Sequence, residues 1–404
     1  MRVENSGAHA GSFIILLQVD RQFANSAKID ISLWPPSWLT QERLLLKQEL
    51  QRITSVTTKV RRLGYFVLFS KILKNTLISP QSLQAQILAE EGKNRKYLED
   101  ACREIPVMRK NQESVTGEIC SQGRTKGKDA FNRYLNTAVE FGFVHEMAGR
   151  LYNTKRGEVL SALSEESANP FVLSLAQKFW FFKVILEKDY DYSRTALFCS
   201  IENGPNEESR FLSMVQDLWR HKLATGTFRS PETYDAIKKA INTKWDSPKK
   251  YYSENIKAPR LEWLADLSAI DFWNIRQNRL TVRDSLKQLL DSEEKNFSLL
   301  FVLHMKPMLQ GSITYWKEIG RKEKNEWLER FVVKSFDLFT SETLPRVSVD
   351  QVIEYSLSIL AQSGVVCESD ELERELGRFA EEKSEKYRYV KTISEADRGY
   401  ISKA

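Results

Sequence analysis

One stretch, Lys128 to Leu163, constrains the fold of this chain more than any other: KDAFNRYLNTAVEFGFVHEMAGRLYNTKRGEVLSAL. Phe131, Tyr134, Leu135, Ala138 and Val139 recur at the spacing of a helix with one apolar face. Gly142 ends that helix, because glycine enters the left-handed conformation of a helix terminus without a Cβ penalty. Phe143-Val144 then reads as a short strand, Ala148-Gly149-Arg150 as a tight turn and Leu151-Tyr152 as the returning strand. Thr154 is the expected cap of the next helix. A hairpin this short is not stable by itself, so the helices and the hairpin must pack as one unit.

The outline recurs. Ser253 to Leu267 reads as a helix, Ala269 to Phe272 as a strand, Arg276-Gln277-Asn278 as a turn and Arg279-Leu280 as the return strand, with Thr281 capping a helix through Leu290. A third, weaker copy has Val349 to Ala361 as its helix and Ser363-Gly364-Val365-Val366 as the exit into a strand. Tyr387 to Val390 is its return strand and Ser394 caps a final helix, with a long acidic segment between.

Elsewhere, alternation from Phe13 to Val19 predicts a strand, and Trp34-Pro35-Pro36 closes that region before Ser37 caps a helical stretch from Trp38 to Leu73. Ser79-Pro80 starts a helix through Leu88, and Tyr97 to Ile105 reads as another. Pro106 to Lys128 is polar and glycine-bearing, the pattern of a loop. After Asn169-Pro170, Phe171 to Leu186 is apolar enough to be a helix buried on most sides.

At 404 residues, the chain is expected to form two or three domains, and 42% hydrophobic with 28% charged residues is globular composition. The four cysteines lie far apart with no CxxC spacing, which fits a reducing compartment and argues against structural zinc. Phe13 to Val19 is too short to span a bilayer, so a cytoplasmic protein with no membrane partner is expected.

The net charge of +6 is modest, but it is unevenly placed. Arg43 to Lys74 holds eight Lys/Arg and Lys238 to Arg260 seven, whereas Glu368 to Lys386 holds eight acids against four bases. Local basic patches suit a phosphate backbone, and they equally suit solvated helices.

With its apolar face turned inward, the 128–141 helix leaves Lys128, Asn132, Arg133 and Asn136 outward. A helix fits the DNA major groove, and Arg and Asn pair bidentately with guanine and adenine edges. Arg150 at the turn, with Lys155 and Arg156 beyond it, is placed to hold phosphates. In the second copy Lys249, Lys250 and Arg260 are the corresponding candidates, with Tyr251 and Tyr252 among them.

The run FNRYLNTAVEFGFV followed by RLYNTKRG resembles the winged helix-turn-helix superfamily. That resemblance implies a mainly α fold, with two or three winged-helix modules carrying small β-wings and joined by helical linkers. Its divisions would be an N-terminal strand and helix region at 1–60, winged-helix domains at 61–165 and 166–295, and a C-terminal helical domain, a possible third winged helix, at 296–404. It implies double-stranded DNA as a partner and a place, with protein partners, in a larger DNA-associated complex. By analogy alone, that complex would serve a mobile element or antiviral defence. The alternative it leaves open is a scaffold whose winged helices bind proteins.

Catalytic chemistry finds little footing. His9, His145, His221 and His304 are isolated, with no metal-binding or triad-like spacing. Gly123 to Asp129 is one residue short of a phosphate loop, with Asp129 where a magnesium-binding Ser or Thr belongs. The Glu-x-Lys triplets at Glu91, Glu293 and Glu381 lack the upstream Asp on a hairpin that a metal nuclease needs. A non-enzymatic protein without cofactor or metal is expected.

Overall fold

The computed structural model describes residues 60–90 except 61, 125–164, 171–189, parts of 192–238, 257–267, 270–274, 279–282, 312–340, 345–392 and 397–404. The described part is mainly helical, 66% helix against 12% strand. None of its helices is long and apolar enough to cross a membrane. The expectations for 1–59, for Tyr97 to Ile105, for the helix after Val282 and for Ser394 lie outside the described residues.

Helix α1 (Gly64–Ile72) is apolar nearly all round, and every residue from Gly64 to Ser70 is buried. Helix α2 (80–90) begins at Pro80, and the Ser79 Oγ accepts the Ser82 N–H at 3.1 Å. Between them Ile78 exchanges two backbone hydrogen bonds with Leu151.

Helix α3 (Thr125–Glu140) buries Phe131, Tyr134, Leu135 and Ala138. It takes in Thr125 to Lys128, which the polar composition assigns to a loop. Val139 is 42% exposed, not inward as its spacing suggests. The helix stops at Gly142, whose φ is +74°, with the Gly142 N–H donating to the Val139 carbonyl and the Phe143 N–H to the Ala138 carbonyl. This Schellman pairing satisfies carbonyls that the helix end would otherwise leave open.

Strands β1 (Val144–Met147) and β2 (Arg150–Asn153) pair in antiparallel register, Met147 opposite Arg150. Their two-residue turn has positive φ at both Ala148 and Gly149, the geometry whose twist matches that of the flanking strands. Helix α4 (Lys155–Leu163) is capped by the Thr154 hydroxyl, which accepts the Gly157 N–H and donates to the Gly142 carbonyl. A Cβ at Gly157 would run into the Phe143 carbonyl oxygen, so this crossing of helix and strand admits only glycine.

Helix α5 (Leu175–Lys188) starts at a capping box between Ser174 and Gln177 and buries Phe179, Trp180, Phe181, Val184 and Ile185. Around Phe66 the rings of Tyr134, Phe141, Phe143 and Phe181 lie 5.5–6.4 Å away, so α1, α3, β1 and α5 share one aromatic core.

Helix α6 (Glu208–Thr225) follows, then α7 (Ala258–Asp266), which closes over the start of α1. There the Trp263 indole donates to the Val60 carbonyl, and Asp266 accepts the Leu63 N–H at 2.9 Å while pairing with Arg62 at 3.0 Å. Strands β3 (Ile270–Asn274) and β4 (Arg279–Val282) form the hairpin read from the sequence. Thr281 belongs to β4, opposite Phe272, so it is not a helix cap.

The C-terminal part comprises β5 (Thr314–Tyr315), α8 (Arg321–Phe339), β6 (Arg346–Ser348), α9 (Val349–Gln362), β7 (Val365–Val366), α10 (Ser369–Glu382), β8 (Tyr387–Val390) and β9 (Tyr400–Lys403). The three-stranded sheet runs β6-β9-β8 and is antiparallel throughout. Of the expected third copy, the helix, the Gly364 exit and the strand at Tyr387 to Val390 are present, but they are connected differently. Val365-Val366 pairs in parallel with Thr314-Tyr315, and the helix preceding the hairpin is α10, not α9.

Among the described residues, 64–153 thus give helix, bridge, two helices and a paired hairpin, and 321–403 give helix, strand, helix, the short strand β7, helix and two paired strands. Helix α9 packs against α4 and α5 on one side and α8 and α10 on the other, joining the two parts through a continuous core.

Candidate nucleic-acid interface

The solvent face of α3 carries Asn132, Arg133 and Asn136, all exposed. They take this face because the buried set Phe131, Tyr134, Leu135 and Ala138 fixes the rotation of the helix. Lys128 lies in the first two turns of the same helix. Arg150 closes the Ala148-Gly149 turn and is exposed. Among the described residues neither Arg133 nor Arg150 has an acidic partner, so both guanidiniums face water with their donors available.

Lys155 is 54% exposed and meets Asp397 at 3.7 Å, a loose surface pair of little energetic weight. Val139 and Met147 add apolar surface beside these polar groups, and His145 packs edge-on against Tyr152 across the hairpin.

Two of the residues expected to meet DNA are engaged within the protein. Arg156 bonds Glu187 at 2.5 Å and reaches Glu354 at 3.4 Å, and Lys183 lies 3.6 Å from Glu187 and 4.0 Å from Glu354. Burial alone would raise the Glu187 carboxyl, but Arg156 and Lys183 outweigh it and hold it at about 2. Glu187 in turn keeps the Arg156 guanidinium firmly protonated against its own burial. The cluster ties α4, α5 and α9 together, and the Trp180 indole donates to Glu354 at 3.2 Å.

Arg260 is fully buried. It makes two hydrogen bonds to Asp189, at 2.8 and 2.6 Å, and lies over the rings of Tyr192 and Trp263. It is a bidentate staple from α7 to the end of α5, out of reach of any backbone phosphate. Lys249 and Lys250 lie outside the described residues.

The acids Glu187, Glu354 and Asp189 escape sequence reading, because each partner arginine is 31 to 198 residues away and no local spacing links them. Basic residues at a hairpin look alike in sequence whether they face solvent or a buried carboxylate.

In the C-terminal part the corresponding helix, α10, is different in charge. It carries Asp370, Glu371, Glu373, Glu375, Glu381 and Glu382 against Arg374 and Arg378. Glu375 is buried and answered by Arg321 at 2.5 Å, Lys324 at 3.7 Å and Arg378 at 3.4 Å. A helix with this balance repels a phosphate backbone.

Compared with known proteins, the chain matches no family model, no curated relative and no solved structure.

Proposed function

We propose that residues 64–163 are a winged-helix module that binds duplex DNA, and that the protein is a binding subunit of a larger DNA-associated complex. In this reading α3 enters the major groove with Asn132, Arg133 and Asn136 toward base edges, and Arg150 and Lys155 hold the flanking phosphates. The 321–403 region is a second winged helix in the same reading, docked on the first through α9.

The observation that carries the proposal is the company these residues keep. Asn132, Arg133 and Asn136 share the solvent face of one helix, and a tight hairpin ending its turn in the unpaired Arg150 follows directly. Surface helices are commonly stabilised by ion pairs of opposite sign. Here, among the described residues, Arg133 has no such pair.

The test is fluorescence anisotropy on a labelled duplex across a salt series. Arg133→Ala should weaken binding and make the slope of log K against log salt shallower by about 0.9, the value for one lost phosphate contact, or relax sequence preference if the side chain reads a base. Unchanged affinity and slope would remove α3 as the reader.

A second reading has its own observation. Val139 and Met147, 42% and 58% exposed, put apolar surface beside the polar face, and the acidic α10 suits a protein partner better than DNA. In that reading the modules form a scaffold for other proteins.

A further inference from the structure

We propose that the outer face of the β6-β9-β8 sheet is a second contact surface for the phosphate backbone of duplex DNA. The inference rests on the reading that the protein binds duplex DNA, and it assigns to the C-terminal part a binding face other than its helix α10.

The pairing register settles which side chains share that face. Arg346 and Arg388 both lie directly opposite Ser402, so Arg346, Ser402 and Arg388 form one row across the three strands. Residues directly opposite one another project to the same side of a sheet. The neighbouring row Val347, Ile401 and Tyr389 points the other way, into the core, with Val347 and Ile401 each 1% exposed and the Tyr389 hydroxyl bonded to Glu373. Arg346 and Arg388 therefore stand on the solvent side, and both are exposed.

Neither guanidinium is answered by a carboxylate: among the described residues none pairs with Arg346 or Arg388, while Lys391 lies over the Tyr389 ring and belongs to the other side of the sheet. Five acids of this region are committed elsewhere. Glu375 and Glu382 bind Arg321, and Asp350, Asp370 and Glu373 surround Arg398 at 3.7, 3.5 and 2.9 Å. Charge is thus sorted by face, with the acids of α10 on the helical side and the two guanidiniums on the sheet.

The Arg346 guanidinium also rests over the Tyr400 ring, 5.1 Å from its centroid. A stacked guanidinium loses less side-chain freedom when it binds, and its edge donors stay open to an anion. Two strand spacings place the two arginines of this row about 10 Å apart, a separation that long side chains can match to two phosphates of one backbone. Ser402 between them adds a hydroxyl donor. Asp397, three residues before β9, meets Lys155 at the start of α4, so the approach to β9 lies near the helix that follows the first hairpin.

The experiment compares four full-length proteins on one labelled duplex across a salt series: wild type, Arg133→Ala/Arg150→Ala, Arg346→Ala/Arg388→Ala and the quadruple variant, each checked for unchanged melting temperature. Loss of both sheet arginines should weaken binding about tenfold or more and make the salt slope shallower by about 1.8, in the wild-type and the Arg133→Ala/Arg150→Ala backgrounds alike. If wild type binds and the α3 variant weakens it, but the sheet variant leaves affinity and slope unchanged, the sheet proposal is overturned and the α3 reading stands. If only the sheet variant weakens binding, the sheet proposal holds and the α3 reading fails. If wild type shows no salt-dependent binding to the duplex, both are overturned.

Discussion

Replacing Arg156 with alanine separates architecture from recognition at the candidate interface. The side chain neutralises Glu187 and Glu354 from 2.5 and 3.4 Å, and those carboxylates are only 10% and 12% exposed. Removing one partner of a fully buried pair costs about 3–5 kcal/mol, because the other charge is left without water or counter-ion. Here Arg156 keeps 27% of its exposure and Lys183 stays within 3.6 Å of Glu187, so the expected loss is about 2–3 kcal/mol.

The depressed Glu187 carboxyl follows from the same contacts. Glu187 moves from an ordinary 4.5 to about 2, which corresponds to about 3 kcal/mol of preference for the charged form in the folded state. Because its folded value is depressed, that stability is present above about pH 4.5 and is lost as pH falls toward 2. Urea unfolding of wild type, Arg156→Ala, Glu187→Gln and the double variant should give a coupling of about 1.5–3 kcal/mol, and the single arginine variant should lose most of the stability slope between pH 4.5 and 2. The DNA salt slope of Arg156→Ala should match wild type. A variant that keeps full stability but loses DNA affinity would refute the assignment and return Arg156 to the interface.

Local geometry and charge set two more outcomes. Ala148 holds φ +52° in the first position of the hairpin turn, so Ala148→Asn, which relieves that strain and completes an Asn-Gly turn, should raise stability by about 0.5–1 kcal/mol in urea melts; a loss would contradict the turn geometry. The Asp266 carboxyl is raised to about 6 from 3.8, chiefly by burial and against the pull of Arg62 and the Leu63 N–H. Its contribution is favourable below about pH 3.8 and is lost as pH rises through 6, opposite in sign to that of Glu187. Asp266→Asn should flatten the stability profile between pH 4 and 6, and a profile identical to wild type would show that the group titrates normally.

Much of the cassette is legible because its signals are short-range. The period of Phe131, Tyr134, Leu135 and Ala138 orients α3, Gly142 ends it, Ala148-Gly149 turns the chain and Thr154 restarts it, each through contacts within about five residues. Val139 fails the same rule because an apolar residue at the rim of a stripe is buried only if a neighbour arrives to cover it, and among the described residues none does. In the C-terminal copy the glycine exit at Gly364 is read correctly as a helix end. The strand beyond that glycine takes a different partner from the expected one, because Val365-Val366 pairs 51 residues back along the chain, with Thr314-Tyr315.

The amino-acid order by itself determines that the described part is mainly helical, where the first helix–hairpin–helix unit lies, and that Asn132, Arg133 and Asn136 of α3 face water. Propensity, caps and periodicity act along a few consecutive residues, so they can be read without knowing the long-range contacts. Only the tertiary structure decides which cations remain free. Arg133 and Arg150 keep theirs, while Arg156 and Arg260 surrender theirs to Glu187, Glu354 and Asp189. The same holds for Arg346 and Arg388, which lie 42 residues apart and become neighbours only when β9 slots between their strands. Charge is written residue by residue, but whether a charge meets solvent or a carboxylate depends on where distant helices and strands come to rest.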